Sequence, residues 1–161
     1  MSTFQTAYNM IEYIKKDITT VDRGVIVHGC NCQGVMGSGV AKAIRDTWPE
    51  AFSAYREWCE EFGIGSTMLL GSVAWCHVGD NLHVANALTQ HRYGKDGKRY
   101  ASPEAIQSAL RQVIGFAAAR PQLPVYMPRI GCGLGGLVWE TDVEPLIKQL
   151  AEEVDIYVCD L

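Results

Sequence analysis

Twice along this chain an unbroken apolar run passes through a glycine-rich segment straight into a helical pattern. The first is "GVIVHGC", followed by "NCQGVMGSG" and "VAKAI"; the second is "VYMPRI", followed by "GCGLGGL" and the segment that opens at Trp139. A strand that is apolar on both sides must be covered on both sides, which confines it to the interior of a sheet with helices on each face. Two such strands, each delivering the chain into a helix, predict an α/β class with three layers, α/β/α.

The remaining pattern fits that frame. "MIEYIKKDIT" reads as a first strand, with Asp17 at its end, and "SVAWCHV" and "LHVANALT", separated by "GDN", read as a hairpin. "DIYVCDL" closes the chain as a sixth strand, so the central sheet is expected to be mixed and about six-stranded. Helical pattern covers 38–47, and Trp48-Pro49 breaks it, because a residue before proline avoids helical geometry. A second helix starts with Pro49 in its first turn and runs through Ala51, Tyr55, Trp58 and Cys59. Ser102 caps a third with Pro103 at its first position, and a fourth is predicted over 139–153. No repeat, low-complexity tract or proline-rich linker divides the sequence, so residues 1–161 are expected to form one domain.

Composition excludes several classes of function. There is no run of eighteen apolar residues and no charged-then-apolar leader, so the protein is expected in the cytoplasm, away from membranes and as a monomer. The net charge is −4 with scattered basic residues, which leaves no surface for neutralising a duplex phosphate backbone, although a mononucleotide-sized ligand is compatible with it. Six cysteines, Cys30, Cys32, Cys59, Cys76, Cys132 and Cys159, mostly sit in apolar strand-like contexts and read as reduced. His28, Cys30 and Cys32 alternate at the strand period and raise the question of zinc. A structural zinc needs about four ligands, and no second Cys/His pair follows at short spacing, so no metal and no cofactor is expected.

A loop between a buried strand and a helix is where backbone N–H groups and a positive helix end can hold an anion. Here there are two such loops, and a tight structural turn is the competing account of each. Gly131, Gly133 and Gly136 formally match G-x-G-x-x-G, but only about 25 residues follow, room for one helix and one strand instead of the several strand-helix units of a dinucleotide domain. Lys42 follows Gly39 at the wrong spacing for an ATP-binding loop and precedes Ala43. Asn31, at the first strand-to-loop junction, could orient a sugar hydroxyl or a water, or could support the turn through its own backbone.

These elements in this order resemble a macrodomain, the family that binds ADP-ribose. In that family an "Asp-Ile-Thr" follows the first strand, an Asn ends the next, a glycine-rich loop follows, and "Ile-Gly-x-Gly-Leu" comes late; here these are Asp17-Ile18-Thr19, Asn31, "GVMGSGVA" and "RIGCGLGG". The resemblance covers nearly the whole chain. "HGCNCQG", "MGSGVAKAI", "PRIGCGLGGLVWE" and "YVCDL" look most like the branch containing ADP-ribose 1″-phosphate phosphatases and the terminal ADP-ribose glycohydrolase acting on modified glutamate. The resemblance implies that Asp17 meets the adenine amine with Ile18 beside it, and that Asn31 faces the distal ribose. It further implies that Gly37, Ser38, Gly39 and Val40 line the distal ribose and diphosphate. From the other side, Ile130, Gly131, Cys132, Gly133, Leu134, Gly135 and Gly136 would wrap the diphosphate.

Two departures bear on activity. The glycohydrolase has an aspartate directly after "Gly-Cys-Gly-Leu", where this chain has Gly135, and its catalytic lysine aligns approximately with Gln90. A phosphatase acting by positioning, with a water directed by an amide or imidazole, draws on Asn31, Gln90 and His91, with His28 and Arg92 as further candidates. His91 has the acid-base chemistry suited to neutral pH, and a solvated loop histidine is its plain alternative. His28, inside an apolar strand, reads more simply as a satisfied core histidine. The expectation is hydrolysis of ADP-ribose 1″-phosphate to ADP-ribose and phosphate, with two alternatives: a non-catalytic reader of ADP-ribose, and a hydrolase removing ADP-ribose from modified macromolecules. A nicotinamide-dependent oxidoreductase stands as a third, weaker class.

Overall fold

The computed structural model describes residues 11–120, 123–151 and 154–161. Their sheet has six strands: β1 (Ile11–Lys15), β2 (Gly24–Asn31), β3 (Val73–Gly79), β4 (Leu82–Gln90), β5 (Val125–Met127) and β6 (Ile156–Asp160). They are ordered β1-β6-β5-β2-β4-β3. All neighbours pair in parallel except β3 and β4, which form the antiparallel hairpin expected from "GDN". The sheet is therefore mixed, as the six apolar runs predicted.

Helices cover both faces. Val25, Val27, Ala85, Ala87, Val125 and Met127 pack with α3 (Pro103–Ala118) and α4 (Glu144–Leu150) on one side. On the other side Ile26, Val84, Cys30 and Leu88 pack with α1 (Gly39–Thr47) and α2 (Pro49–Phe62). β2 is buried on both faces for this reason; all four of Val25, Ile26, Val27 and His28 are 1% exposed or less. Each large aliphatic side chain taken fully from water contributes about 1.5–3 kcal/mol, so the seven buried apolar residues of α3 anchor that layer firmly. Ser102 caps α3 by accepting from Ala105 N at 3.1 Å, and Pro103 occupies its first turn, where no N–H is needed.

Three element boundaries differ from the sequence reading. β1 stops at Lys15, and Asp17 instead caps a 3₁₀ turn over Ile18–Thr20 by accepting from Thr19 N at 3.0 Å and Thr19 Oγ1 at 2.7 Å. β5 is only three residues long, because Pro128 has no N–H to continue the ladder. The last helix opens as a π turn over Trp139–Val143 before α4, with Pro145 in the first turn of α4 and unable to donate to the turn before it. Met10 and Glu153, the predicted outer limits of the first strand and last helix, lie outside the described residues. Among the described residues no helix is long and apolar enough to cross a membrane.

The topology sets the site. Five parallel strands end on one rim, and in a parallel sheet with a change of connection direction a crevice opens beyond those ends. Along the rim the chain ends fall in the order Lys16, Asp160, Arg129, Asn31, Gln90: Lys16 N donates to Asp160 O at 2.8 Å, Arg129 pairs with Asp160, and Asn31 is in register with Gln90.

Candidate functional site

A cleft of about 580 Å³ lies over this rim. Its walls are the two glycine loops, 35–41 from the β2–α1 connection and 128–135 from the β5–α4 connection. Thr89, Gln90 and the turn at Tyr93, Gly94 and Lys95 close the β4 side.

The first wall offers a helix start. Ser38 is the N-cap of α1 yet makes no side-chain capping bond, so the first-turn N–H groups, which have no intrahelical acceptor, are left to the cleft that Gly39, Val40 and Ala41 line. In the second wall, Cys132 N, Gly136 N and Leu137 N are spent within the loop, whereas the N–H groups of Gly131, Gly133, Leu134 and Gly135 donate to no acceptor among the described residues. Both loops present rows of main-chain donors without a lysine among them, the arrangement that suits spread negative charge.

Asn31 stands between them, held from all sides. Its Oδ1 accepts from Gln33 N at 2.9 Å and Val35 N at 3.4 Å, and its Nδ2 donates to Val35 O at 2.9 Å. Tyr55, fully buried on α2, places its hydroxyl 2.7 Å from Asn31 O and 2.9 Å from Asn31 Oδ1, and accepts from Val35 N at 3.0 Å. Burial pushes the Tyr55 phenol far up, so it remains a donor throughout the accessible pH range. This network fixes the amide's orientation and leaves one Nδ2 proton uncommitted. Asn31 thus supports the turn, as its sequence position allowed, and also lines the cleft.

Beneath it lies Thr89, whose Oγ1 is the one buried side-chain polar atom without a partner among the described residues. A Cβ on Gly29 would come within 2.7 Å of that oxygen, which is why position 29 has no side chain. Gln90 lines the cleft, its amide donating to Arg92 O at 2.8 Å.

Gly37, Ser38, Gly39, Val40, Ile130, Gly131, Gly133, Leu134 and Gly135 come together with Asn31 and Gln90 around the cleft. Cys132 and Gly136 are in the same loop but not on its wall; the Cys132 thiol turns to Ile130 O at 3.4 Å, and burial pushes it up to about 11. Asp17 is exposed beyond the β1 end of the cleft, its carboxyl held below the ordinary range by the Thr19 hydroxyl and N–H, while Ile18 is buried in the core below. His91 does not line the cleft. Its Nε2 lies 2.6 Å from Gly65 O, and its carbonyl accepts from Cys32 N and Gln33 Nε2, so it buckles the end of β4 to the segment after α2. His28 lines the cleft only from within the core. Asn86 donates to Ala51 O and Ala74 O, which turns its Oδ1 toward His28 Nε2 at 2.6 Å and makes that nitrogen the protonated one. Burial lowers the His28 pKa to about 4, so the ring is neutral. Of the polar loop, Tyr93, Gly94 and Lys95 reach the cleft and Arg92 does not. No group of three or more His, Cys, Asp or Glu side chains with metal-binding geometry occurs among the described residues.

Two further residues escaped the sequence reading. Arg129 sits in what reads as a continuing strand; its Nε and Nη2 grip Asp160 at 2.9 and 3.1 Å, over the rings of Tyr13 and Trp139. Tyr55 follows the apolar period of α2 and looks like any core aromatic.

The geometry agrees with a match between residues 27–145 and the family model described as Macro domain. The chain is a macrodomain. A solved protein of unknown function from Bacteroides thetaiotaomicron is 36% identical, with a TM-score of 0.85 over 97% of this chain and 100% of the other. An ADP-ribose 1″-phosphate phosphatase of Scheffersomyces stipitis is 27% identical, over 92% of the macrodomain described here and 99% of its own length. A DNA ADP-ribosyl glycohydrolase of Mycobacterium tuberculosis is also 27% identical, over 91% of this macrodomain but only 40% of the larger protein.

Proposed function

We propose that this macrodomain binds ADP-ribose along the rim of its sheet and hydrolyses ADP-ribose 1″-phosphate to ADP-ribose and phosphate. The observation that carries the reading is the charge of the cleft. The chain has 18 acidic residues against 14 basic ones, yet no Asp or Glu lines the cleft among the described residues. A cavity walled by main-chain donors and free of carboxylates selects a ligand with delocalised negative charge and little need for a counter-ion.

The adenine end is assigned to the β1 side, near Asp17, whose second carboxylate oxygen is uncommitted; the diphosphate to the loop 130–135; and the distal ribose to Asn31. Hydrolysis then takes place beside Asn31 and Gln90. Water oxygen bonds to phosphorus as the bond from phosphorus to the 1″ oxygen breaks, and that oxygen leaves with a proton on ADP-ribose. Asn31, with its free Nδ2 proton, is assigned to orient the phosphoryl group or the water, and unspent N–H groups meet the charge growing on the phosphoryl oxygens. Nothing in this assignment uses His91, which its contact with Gly65 holds elsewhere.

A binding-only role is the second reading, and one observation favours it: Asn31 and Gln90, the side chains assigned to the reaction, are amides that take up and release no proton near neutral pH. Removal of ADP-ribose from glutamate by the aspartate-and-lysine route is disfavoured, since a Cβ at Gly135 would lie 2.6 Å from Gly131 O. Phosphorus NMR of the protein with ADP-ribose 1″-phosphate separates these. Inorganic phosphate growing in the presence of a metal chelator is the expected result; shifted diphosphate lines without phosphate mean a reader, and unshifted lines refute ADP-ribose binding altogether.

A further inference from the structure

Two basic side chains line the cleft, and they are not equivalent. Arg129, on the Asp17 side, is neutralised by its two-pronged grip on Asp160. Lys95, on the opposite side beyond β4, has no ion-pair partner among the described residues. Its nearest acidic neighbour in sequence, Asp96, is committed elsewhere: Asp96 Oδ1 accepts from Tyr100 Oη at 2.8 Å and from Lys98 N at 3.2 Å, and Oδ2 faces Lys98 Nζ at 3.8 Å. These bonds hold the Asp96 carboxyl below its ordinary range, so it is ionised and occupied.

The turn carrying Lys95 is fixed to the cleft wall. Tyr100 N and Ala101 N both donate to Gly135 O, at 2.8 and 3.0 Å, and Ser102 N donates to Thr89 O at 2.8 Å. Gly94 packs directly on the Tyr100 ring, a contact only glycine permits there. The loop is therefore a side wall between Gln90 and the second glycine loop, and it brings an uncompensated positive charge to one end of an otherwise neutral donor-lined cleft.

We propose that Lys95 determines specificity for a ligand carrying a further anion beyond the distal ribose, and so distinguishes ADP-ribose 1″-phosphate from ADP-ribose. The proposal rests on the ligand orientation given under Proposed function, in which the distal ribose lies at Asn31 and Gln90. The diphosphate is served by main-chain donors on the other side of Asn31, so Lys95 is spare until a terminal phosphate arrives.

The test is competition binding of two ligands to the intact protein: ADP-ribose, and the 1″-phosphonate analogue in which CH₂ replaces the ester oxygen so that nothing is hydrolysed. Wild type is expected to prefer the phosphonate by on the order of tenfold, the size of one charge-assisted hydrogen bond. Lys95→Gln is expected to bring that ratio to within about twofold while leaving ADP-ribose affinity unchanged, and the preference of wild type should shrink as salt rises. Lys148→Gln removes the same charge from α4, where the ammonium pairs with Glu144 and neither residue lines the cleft, and is expected to keep the wild-type ratio. Equal weakening of both ligands in Lys95→Gln would overturn the proposal by placing Lys95 on the diphosphate, and an unchanged ratio would overturn it outright. Failure of wild type to bind ADP-ribose would instead refute the ligand reading beneath it.

Discussion

Replacing Gly136, Gly39 and Gly133 by alanine, one at a time, separates backbone strain from crowding in the two loops. Gly136 has φ of +81°, which costs an L-residue about 1–2 kcal/mol. Its new Cβ would also fall inside contact distance of Lys98 O and 2.9 Å from Arg99 Cα, both backbone atoms of the loop that carries Lys95. Crowding of that kind adds about 1–3 kcal/mol. The sum, about 2–5 kcal/mol, corresponds in a chain of this size to a fall in melting temperature of roughly 4–20 °C, at about 2–4 °C per kcal/mol. Gly39 has φ of +60° but open space around its Cβ position, so only the strain remains and the expected fall is about 2–8 °C. Gly133 has neither a positive φ nor a neighbour within 4 Å, and its variant should melt within about 1 °C of wild type. Differential scanning calorimetry on the four proteins is sufficient. Equal melting temperatures across the series, or a Gly133 variant as unstable as that of Gly136, would refute the claim that the second loop is shaped by its packing on residues 98–101.

Tyr55→Phe removes a buried hydroxyl that holds Asn31, and should lower stability by about 1–3 kcal/mol in urea unfolding. If Tyr55 acts through Asn31, it should weaken ADP-ribose binding in the wild-type background and add nothing to Asn31→Ala; additive losses would contradict a positioning role. His28 makes stability depend on pH. Its folded pKa is depressed to about 4 from an ordinary 6.5, so between those values the unfolded chain binds the extra proton and stability falls as pH falls. The loss approaches about 3 kcal/mol by pH 4, at about 1.4 kcal/mol per unit. His83, also depressed by burial, adds in the same direction, whereas depressed carboxylates such as Asp160 act mainly below pH 4.5. Urea midpoints measured from pH 7 to 4.5 should show this slope in wild type and a shallower one in His28→Gln; identical slopes would rule out a neutral buried His28.

Much of the fold was legible in the chain because its signals are local. Apolar runs with turn residues between them gave six strands, Ser102-Pro103 marked the start of α3, and two strand-loop-helix junctions marked the rim. Elements that depended on one atom's missing partner were misjudged at their ends: the absent N–H groups of Pro128 and Pro145 shortened β5 and opened α4 with a π turn. The site divided the same way. Main-chain groups followed from the loops, but side-chain roles set by distant contacts did not. Tyr55 meets Asn31 across 24 residues, and nothing in a period of 3.6 separates such a tyrosine from a core one. His91 has suitable chemistry and the wrong address, since Gly65, 26 residues earlier, fixes its ring. Lys95 was indistinguishable from the other charges of its loop until the bonds of Asp96 were known.

The donors of both glycine loops belong to the polypeptide itself and not to any side chain. On the function proposed above, ligand capture is therefore shielded from most genetic variation: at Gly131, Gly133, Leu134 or Gly135 a substitution can crowd or bend the loop, but of the standard residues only proline deletes a donor. Reactivity, on that same proposed function, has no such protection, because it is assigned to a few side chains, Asn31 and Gln90 among them. A lineage built on this scaffold can thus exchange one chemistry for another, or lose chemistry entirely, while continuing to hold the same nucleotide.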